Sequence, residues 1–293
     1  MLHITNGESV SLAESGLGGE IVFWVDTLYD GPVPDALDAA ALTRLRDTYF
    51  AGDMLARRDA ALAAAAPADD VVLWFEHDLY DQLQLIQVLD HFAARAQRTL
   101  SLICIEGYLG TLTGADLAAL WPRRHSVTDA ETRLATAAWH AFRSSDPTRI
   151  ELLLRGDCSA LPFLAGALIR HLQQFPSVEN GLSRTEGQIL DLVAGGHRDF
   201  YSLFRADQRL ESRVFLGDTT FRRYLRGLAE CRQPLIEDAE GELRLTQIGR
   251  DVRAGRADQV HTNGINRWLG GVHLEGFEAR WRWSEARRAL APH

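Results

Sequence analysis

The sequence predicts an α/β N-terminal domain with a mostly parallel, flavodoxin/Rossmann-like sheet, an α-helical linker and a C-terminal winged-helix domain. Three observations carry this reading. Four short, nearly all-apolar segments alternate with helical patterns in the first half of the 293 residues. The second half instead reads as three helices followed by two strand-like pieces around a Glu240-Gly241 turn. Charge also changes between the halves: residues 1–182 carry 13 arginines against 24 aspartates and glutamates, and residues 183–293 carry 18 against 16. The boundaries predicted are 1–128 for the α/β domain, 129–181 for the connector and 182–293 for the winged helix with its Trp-rich tail. Within QFPSVENGLSRTEG, Pro176, Asn180 and Gly181 interrupt a helical region, and Ser183 or Thr185 is placed to cap a new helix.

Taken in order, the apolar segments are Leu2–Thr5, Ile21–Val25, Val71–Phe75 and Leu100–Ile105. A strand apolar on nearly every residue is covered on both faces, as in a parallel sheet. Between them, Ala39–Ala66 reads as one long Ala-, Leu- and Arg-rich helix. Leu79–Ala96 reads as a second, with Leu79, Leu83, Ile86, Leu89 and Phe92 on one face. Such alternation builds a layered α/β fold with right-handed crossovers. A strand order of 2-1-3-4 makes Val71–Phe75 a central strand beside Leu2–Thr5. The order then reverses between those two, where ligands bind in open sheets.

That edge collects the polar residues after each strand: Asn6, Gly7, Glu8 and Ser9; then Asp26; then Glu76, His77 and Asp78; then Glu106 and Gly107. Asp26, Glu76 and Asp78 are the candidate catalytic carboxylates. Asn6, Gly7, Ser9, His77 and Glu106 are the candidate ligand-binding residues, with Glu76 and Asn6 facing each other across a cleft. Asn6 or Ser9 is also placed to start a short helix whose N-terminal N–H groups favour an anion. Clustered carboxylates suit Mg²⁺, a hard cation that takes oxygen ligands, although the spacing fixes no metal. The competing structural reading makes Asp78 an N-cap, Asp81 a first-turn acid against the helix dipole and His77 a hydrogen-bonded core residue.

Composition excludes several chemistries. All 31 basic residues are arginine, so there is no Schiff-base or pyridoxal-phosphate lysine and no GK[ST] phosphate loop. HITNGES has a single glycine and is no NAD fingerprint. Cys104, Cys158 and Cys231 are odd in number and form neither a CxxC pair nor zinc spacing. No stretch matches a membrane span or a signal peptide, so a cytoplasmic protein with no membrane partner is expected.

In the second half, TEGQILDLVAGG turns Ile189, Leu190 and Val193 inward, and DFYSLFRADQ makes a short helix. GDTTFRRYLRGLAEC, N-capped by Asp218, buries Phe221, Leu225 and Leu228 and presents Arg222, Arg223 and Arg226 as candidate DNA contacts. Against nucleic acid stand Glu237, Asp238, Glu240 and Glu242 in the hairpin, which phosphates would repel. In the tail, Trp268, Trp281 and Trp283 with Phe277 read as a cation–π surface for nearby arginines or as a small core. His261 and His273 are too widely spaced for a metal pair.

LHITNGES, FWVDTLYDGPVP, LWFEHDLYDQLQL, IRHLQQFP, NGLSRTEGQIL and NGINRWLGGVHL together resemble the bacterial family called domain of unknown function 1835, with its C-terminal region of winged-helix type. The resemblance implies an α/β N-terminal domain in a bacterial cytoplasmic protein and carries over no catalytic residue. The functional expectation is a domain that binds a small phosphate-containing or metal-associated ligand at its strand ends, as a hydrolase or transferase. The alternatives are a ligand-sensing transcription regulator that binds DNA, or a structural adaptor.

Overall fold

In the computed structural model, residues 1–65, 70–93 and 99–292 are described. The apolar runs become β1 (Leu2–Thr5), β2 (Glu20–Phe23), β3 (Asp70–Phe75) and β4 (Thr99–Cys104). They pair in parallel in the order β2-β1-β3-β4. The two-residue β5 (His125–Ser126) adds an antiparallel strand at the β4 edge, with no apolar run to announce it. Among the described residues these five strands form one mostly parallel sheet. The strand order reverses between β1 and β3, and Ile4 sits opposite both Val22 and Leu73.

Val71, Val72, Leu73, Trp74 and Phe75 are all completely buried, as a central strand requires. Val72 and Trp74 pack in one layer with Val10, Leu12, Ile103, Leu109 and Leu117. Strand alternation turns Val71, Leu73 and Phe75 to the other face.

The helices up to Leu172 are α1 (Ala39–Tyr49), α2 (Met54–Ala64), α3 (Leu79–Ala93), α4 (Gly114–Leu120), α5 (Asp129–Arg143), α6 (Thr148–Leu154) and α7 (Leu164–Leu172). The single helix expected over 39–66 is corrected to a pair. Ala51 takes a left-handed φ of 53°, which ends the first helix. The carboxylate of Asp47 then accepts the Leu55 and Ala56 N–H groups, so α1 supplies the cap of α2. Folding back lets both helices contribute to one buried set, Leu42, Leu55, Leu62 and Arg46. Ala66 and the expected extension of α3 over 94–96 lie outside the described residues. Neither Asn6 nor Ser9 starts a helix: the 3-10 turn Leu12–Ser15 follows Ser11, and the Asn6 side chain is committed elsewhere.

The chain divides into two units, Met1–Leu168 with Gly270–Val272, and Ile169–Leu269 with His273–His293. The second contains α8 (Arg184–Ala194), α9 (Phe200–Leu210), α10 (Asp218–Ala229), the antiparallel pair β6 (Ile236–Ala239) and β7 (Glu242–Leu245), α11 (Gln247–Arg253) and α12 (Gln259–Asn263). Ser183 caps α8 in a reciprocal capping box with Glu186, and Ile189, Leu190 and Val193 are buried. Asp218 does not cap α10. Gly217 holds that position without a side-chain bond, and Asp218 opens the helix, accepting the Thr219 N–H. Phe221 and Leu228 are buried, whereas Leu225 is only half-buried. The β6–β7 turn is left-handed at Glu240 and Gly241.

Two further antiparallel pairs follow: β8 (Ile265–Leu269) with β9 (Val272–Gly276), and β10 (Trp281–Ser284) with β11 (Ala289–Pro292). The tail aromatics take separate roles. Trp283 is buried and donates its indole N–H to Glu285, Trp268 stacks on His273 at 4.4 Å, and Arg232 lies 5.2 Å from the centre of the exposed Phe277 ring. No helix among the described residues is long and apolar enough to cross a membrane.

Candidate functional site

The loops leaving β1, β3 and β4 converge at the carboxyl edge of the sheet. Asn6 donates its side-chain amide to Asp81 Oδ2 at 2.8 Å. Glu76 Oε1 accepts the Leu109 N–H at 2.6 Å. His77 Nδ1 lies 3.0 Å from the Gly107 nitrogen and 3.2 Å from the Gly107 carbonyl oxygen, so this glycine holds the ring. The loops of β1 and β4 also approach closely, since a Cβ on Gly110 would lie 2.9 Å from Ser9 Oγ. Asn6, Glu76, His77 and Asp78 are buried, Gly7 is half-buried, and Ser9 and Glu106 are exposed on the same loops.

Glu76, Asp78 and Asp81 form a buried triad whose ligand atoms all lie within 4.8 Å of one another. Asp78 has a local role too: its Oδ1 accepts the Asp81 N–H at the start of α3. Asp81 reaches back with Oδ1 to the Glu76 N–H at 2.8 Å. The expected cap is therefore present, and it draws three carboxylates together in the process. Asp81 was readable in the sequence only as a first-turn acid, and its i, i+3 spacing from Asp78 was the signal that it shares this site.

The electrostatics follow from burial. Desolvation pushes the Glu76 carboxyl up, against N–H donors from Leu109, Asn6 and Gly110. Desolvation pushes Asp78 up to about 7, and the charge of Glu76 adds to it. Asp81 is raised well above the ordinary carboxylate range by desolvation and then by Asp78 and Glu76. Nearby, burial lifts the Cys104 thiol to about 12, so it is no thiolate nucleophile. Two states relieve three adjacent buried carboxylates near neutral pH: shared protons, or a bound cation. Oxygen-only donors suit Mg²⁺, Mn²⁺ or Ca²⁺ and disfavour soft metals.

Asp26 does not join this triad. Its Oδ1 accepts both the Nε and Nη2 of Arg46, at 2.7 and 2.5 Å, and its backbone N–H donates to Gln84. The pair is almost completely buried. Sequence position correctly placed Asp26 after a strand, but Arg46, twenty residues away, takes its charge. His77 is held by Gly107 and packed near Tyr108 and Phe163.

In the second unit, Arg222, Arg223 and Arg226 are exposed on α10, as expected. Arg222 stacks 3.6 Å from the Phe200 ring centre, and Arg226 pairs with Glu230 at 3.6 Å. Glu237, Asp238, Glu240 and Glu242 are exposed on the hairpin. A scan of protein-family models finds no match to the sequence, and a search of curated proteins finds no similar chain.

Proposed function

We propose that the α/β unit binds a divalent cation through Glu76, Asp78 and Asp81 and uses it to hold a small phosphate-bearing ligand, which it hydrolyses or transfers. The observation that carries this reading is the buried triad itself, placed where the strand order reverses. Glu76, Asp78 and Asp81 would hold a hard cation in place of the protons that burial otherwise forces onto them, and it would supply Lewis-acid chemistry to a bound phosphate. Asn6 positions Asp81, and the Leu109 N–H orients Glu76. Asp26 has no part in this set, because Arg46 neutralises it. We further propose membership of the domain of unknown function 1835 family, on the motifs quoted above.

We read α8, α9 and α10 with the β6–β7 hairpin as a winged helix that docks protein or serves structure rather than duplex DNA. Four exposed carboxylates on the hairpin support this, since phosphates would be repelled there. The rival reading, a DNA-binding regulator, rests on the exposed arginines of α10.

The test is isothermal titration of Mg²⁺ and Mn²⁺ into chelator-treated protein at pH 7.5, with and without inorganic phosphate. One cation per chain, lost in Asp78→Asn, supports the proposal. Absence of binding to the wild type, or equal binding to the variant, removes it. Salt-dependent binding of random duplex DNA, abolished by Arg222→Ala with Arg226→Ala, would instead favour the regulator.

A further inference from the structure

A cavity of about 560 Å³ in the first unit has none of Glu76, Asp78 and Asp81 in its wall. Its wall includes Trp24, Asp26, Arg46, Arg58, Phe92 and Trp139. The volume falls within the range of small-molecule pockets, roughly 300–1,000 Å³. Two buried polar atoms without a hydrogen-bond partner belong to residues that line this cavity, although neither atom opens onto it: Asp26 Oδ2 and Arg58 Nη1. An unsatisfied acceptor and an unsatisfied donor in the same lining are costly unless something supplies their complements.

Arg46 gives Asp26 Oδ1 two bonds and donates to the Asp30 and Pro32 carbonyls. Arg58 gives Nε and Nη2 to Asp59 Oδ1, which leaves only Nη1. The Trp24 indole N–H donates to Gln87 at 2.8 Å. Arg46 and Arg58 pair with Asp26 and Asp59, and with Asp90 and Arg143 also in the wall the three arginines and three aspartates balance. The site therefore favours an uncharged ligand over a phosphate. Arg58 also lies 4.5 Å from the centre of the Trp24 ring. An arginine over an indole gives the wall a cation–π pair beside which a planar ring can stack.

We propose that this cavity binds a neutral planar heterocycle that accepts a hydrogen bond from Arg58 and donates one to Asp26, as the edge of a nucleobase does. The ring stacks in the aromatic and guanidinium wall, and a small side-chain adjustment brings each orphaned atom to its partner. The site is independent of the cation proposed above.

The test is titration of the full chain with guanosine, adenosine, cytidine and uridine in EDTA, which keeps the carboxylate triad free of metal. At least one nucleoside is expected to bind once per chain with Kd below about 1 mM. Arg58→Met should weaken it about tenfold or more, because a charged hydrogen-bond donor is lost. Ala63→Trp, at an exposed position on the rim, should block entry with unchanged circular dichroism. If no nucleoside binds, or if both variants bind like the wild type, the proposal is wrong. Should Arg58→Met fail to fold, Ala63→Trp decides it. Because EDTA is present throughout, failure here leaves the cation reading standing, and success does not depend on it.

Discussion

Asp26 and Asp78 both follow strands, yet they end in opposite electrostatic states. Asp26 shares a buried ion pair with Arg46, whereas burial beside Glu76 raises the Asp78 carboxyl to about 7. Arg46→Met should therefore strand a buried charge and destabilise the protein by about 3–5 kcal/mol in urea denaturation. A loss under about 1 kcal/mol would show that the pair contributes little. Asp78→Asn should do the reverse, since asparagine keeps the cap and removes a like charge. At pH 8 in EDTA it should raise stability by an amount on the order of 1 kcal/mol or more. A clear destabilisation there would mean that the carboxylate is compensated in the folded protein. The site was legible at this scale where residues follow strands directly, as at Asn6 and Glu76. The fate of Asp26 was not legible, because local spacing says nothing about an arginine on the next helix. Nor did it show that Glu76 would be buried rather than an exposed cleft carboxylate.

At the scale of elements, caps and close approaches decide where segments stop. Ser183 Oγ accepts the Glu186 N–H and donates to Glu186 Oε2 at 2.7 Å. Ser183→Ala should cost about 1–2 kcal/mol by thermal denaturation, because the buried Glu186 N–H loses its acceptor while the residue-183 N–H still donates to Glu186 Oε2. A neutral effect would assign the start of α8 to packing alone. Gly249 in α11 approaches Leu235 so closely that a Cβ would lie 2.0 Å from its carbonyl oxygen. Gly249→Ala should force α11 and the strand entry apart and lower stability by about 2 kcal/mol or more. The parallel strands were legible because their apolar runs are long relative to their length. The break at Ala51 was not, since alanine favours helix and the left-handed turn there is set by how α1 and α2 pack. The antiparallel β5, only His125 and Ser126, carries no periodic signal at all.

At the scale of the molecule, the raised carboxyls make stability and cation binding depend on pH together. Asp78 holds its proton more tightly folded than unfolded, its pKa rising from 3.8 to about 7. Its contribution to stability is therefore greatest below the unfolded value and is lost as pH rises through the folded one. Asp207 in the second unit adds the same trend, raised to about 7 by desolvation and then by Glu211. In EDTA, the stability of the wild type relative to Asp78→Asn should thus fall between about pH 4 and pH 7. Saturating Mg²⁺ should recover that difference at pH 8, because the cation takes the place of protons. A difference independent of pH would contradict the burial account. The joining of three carboxylates was not visible in the sequence pattern and required the loops themselves. The most direct measurement is anomalous diffraction at the manganese edge from crystals soaked in Mn²⁺ at pH 7.5. The account predicts one peak within coordination distance of the Glu76, Asp78 and Asp81 carboxylates. Clear density for all three side chains with no peak between them would contradict it.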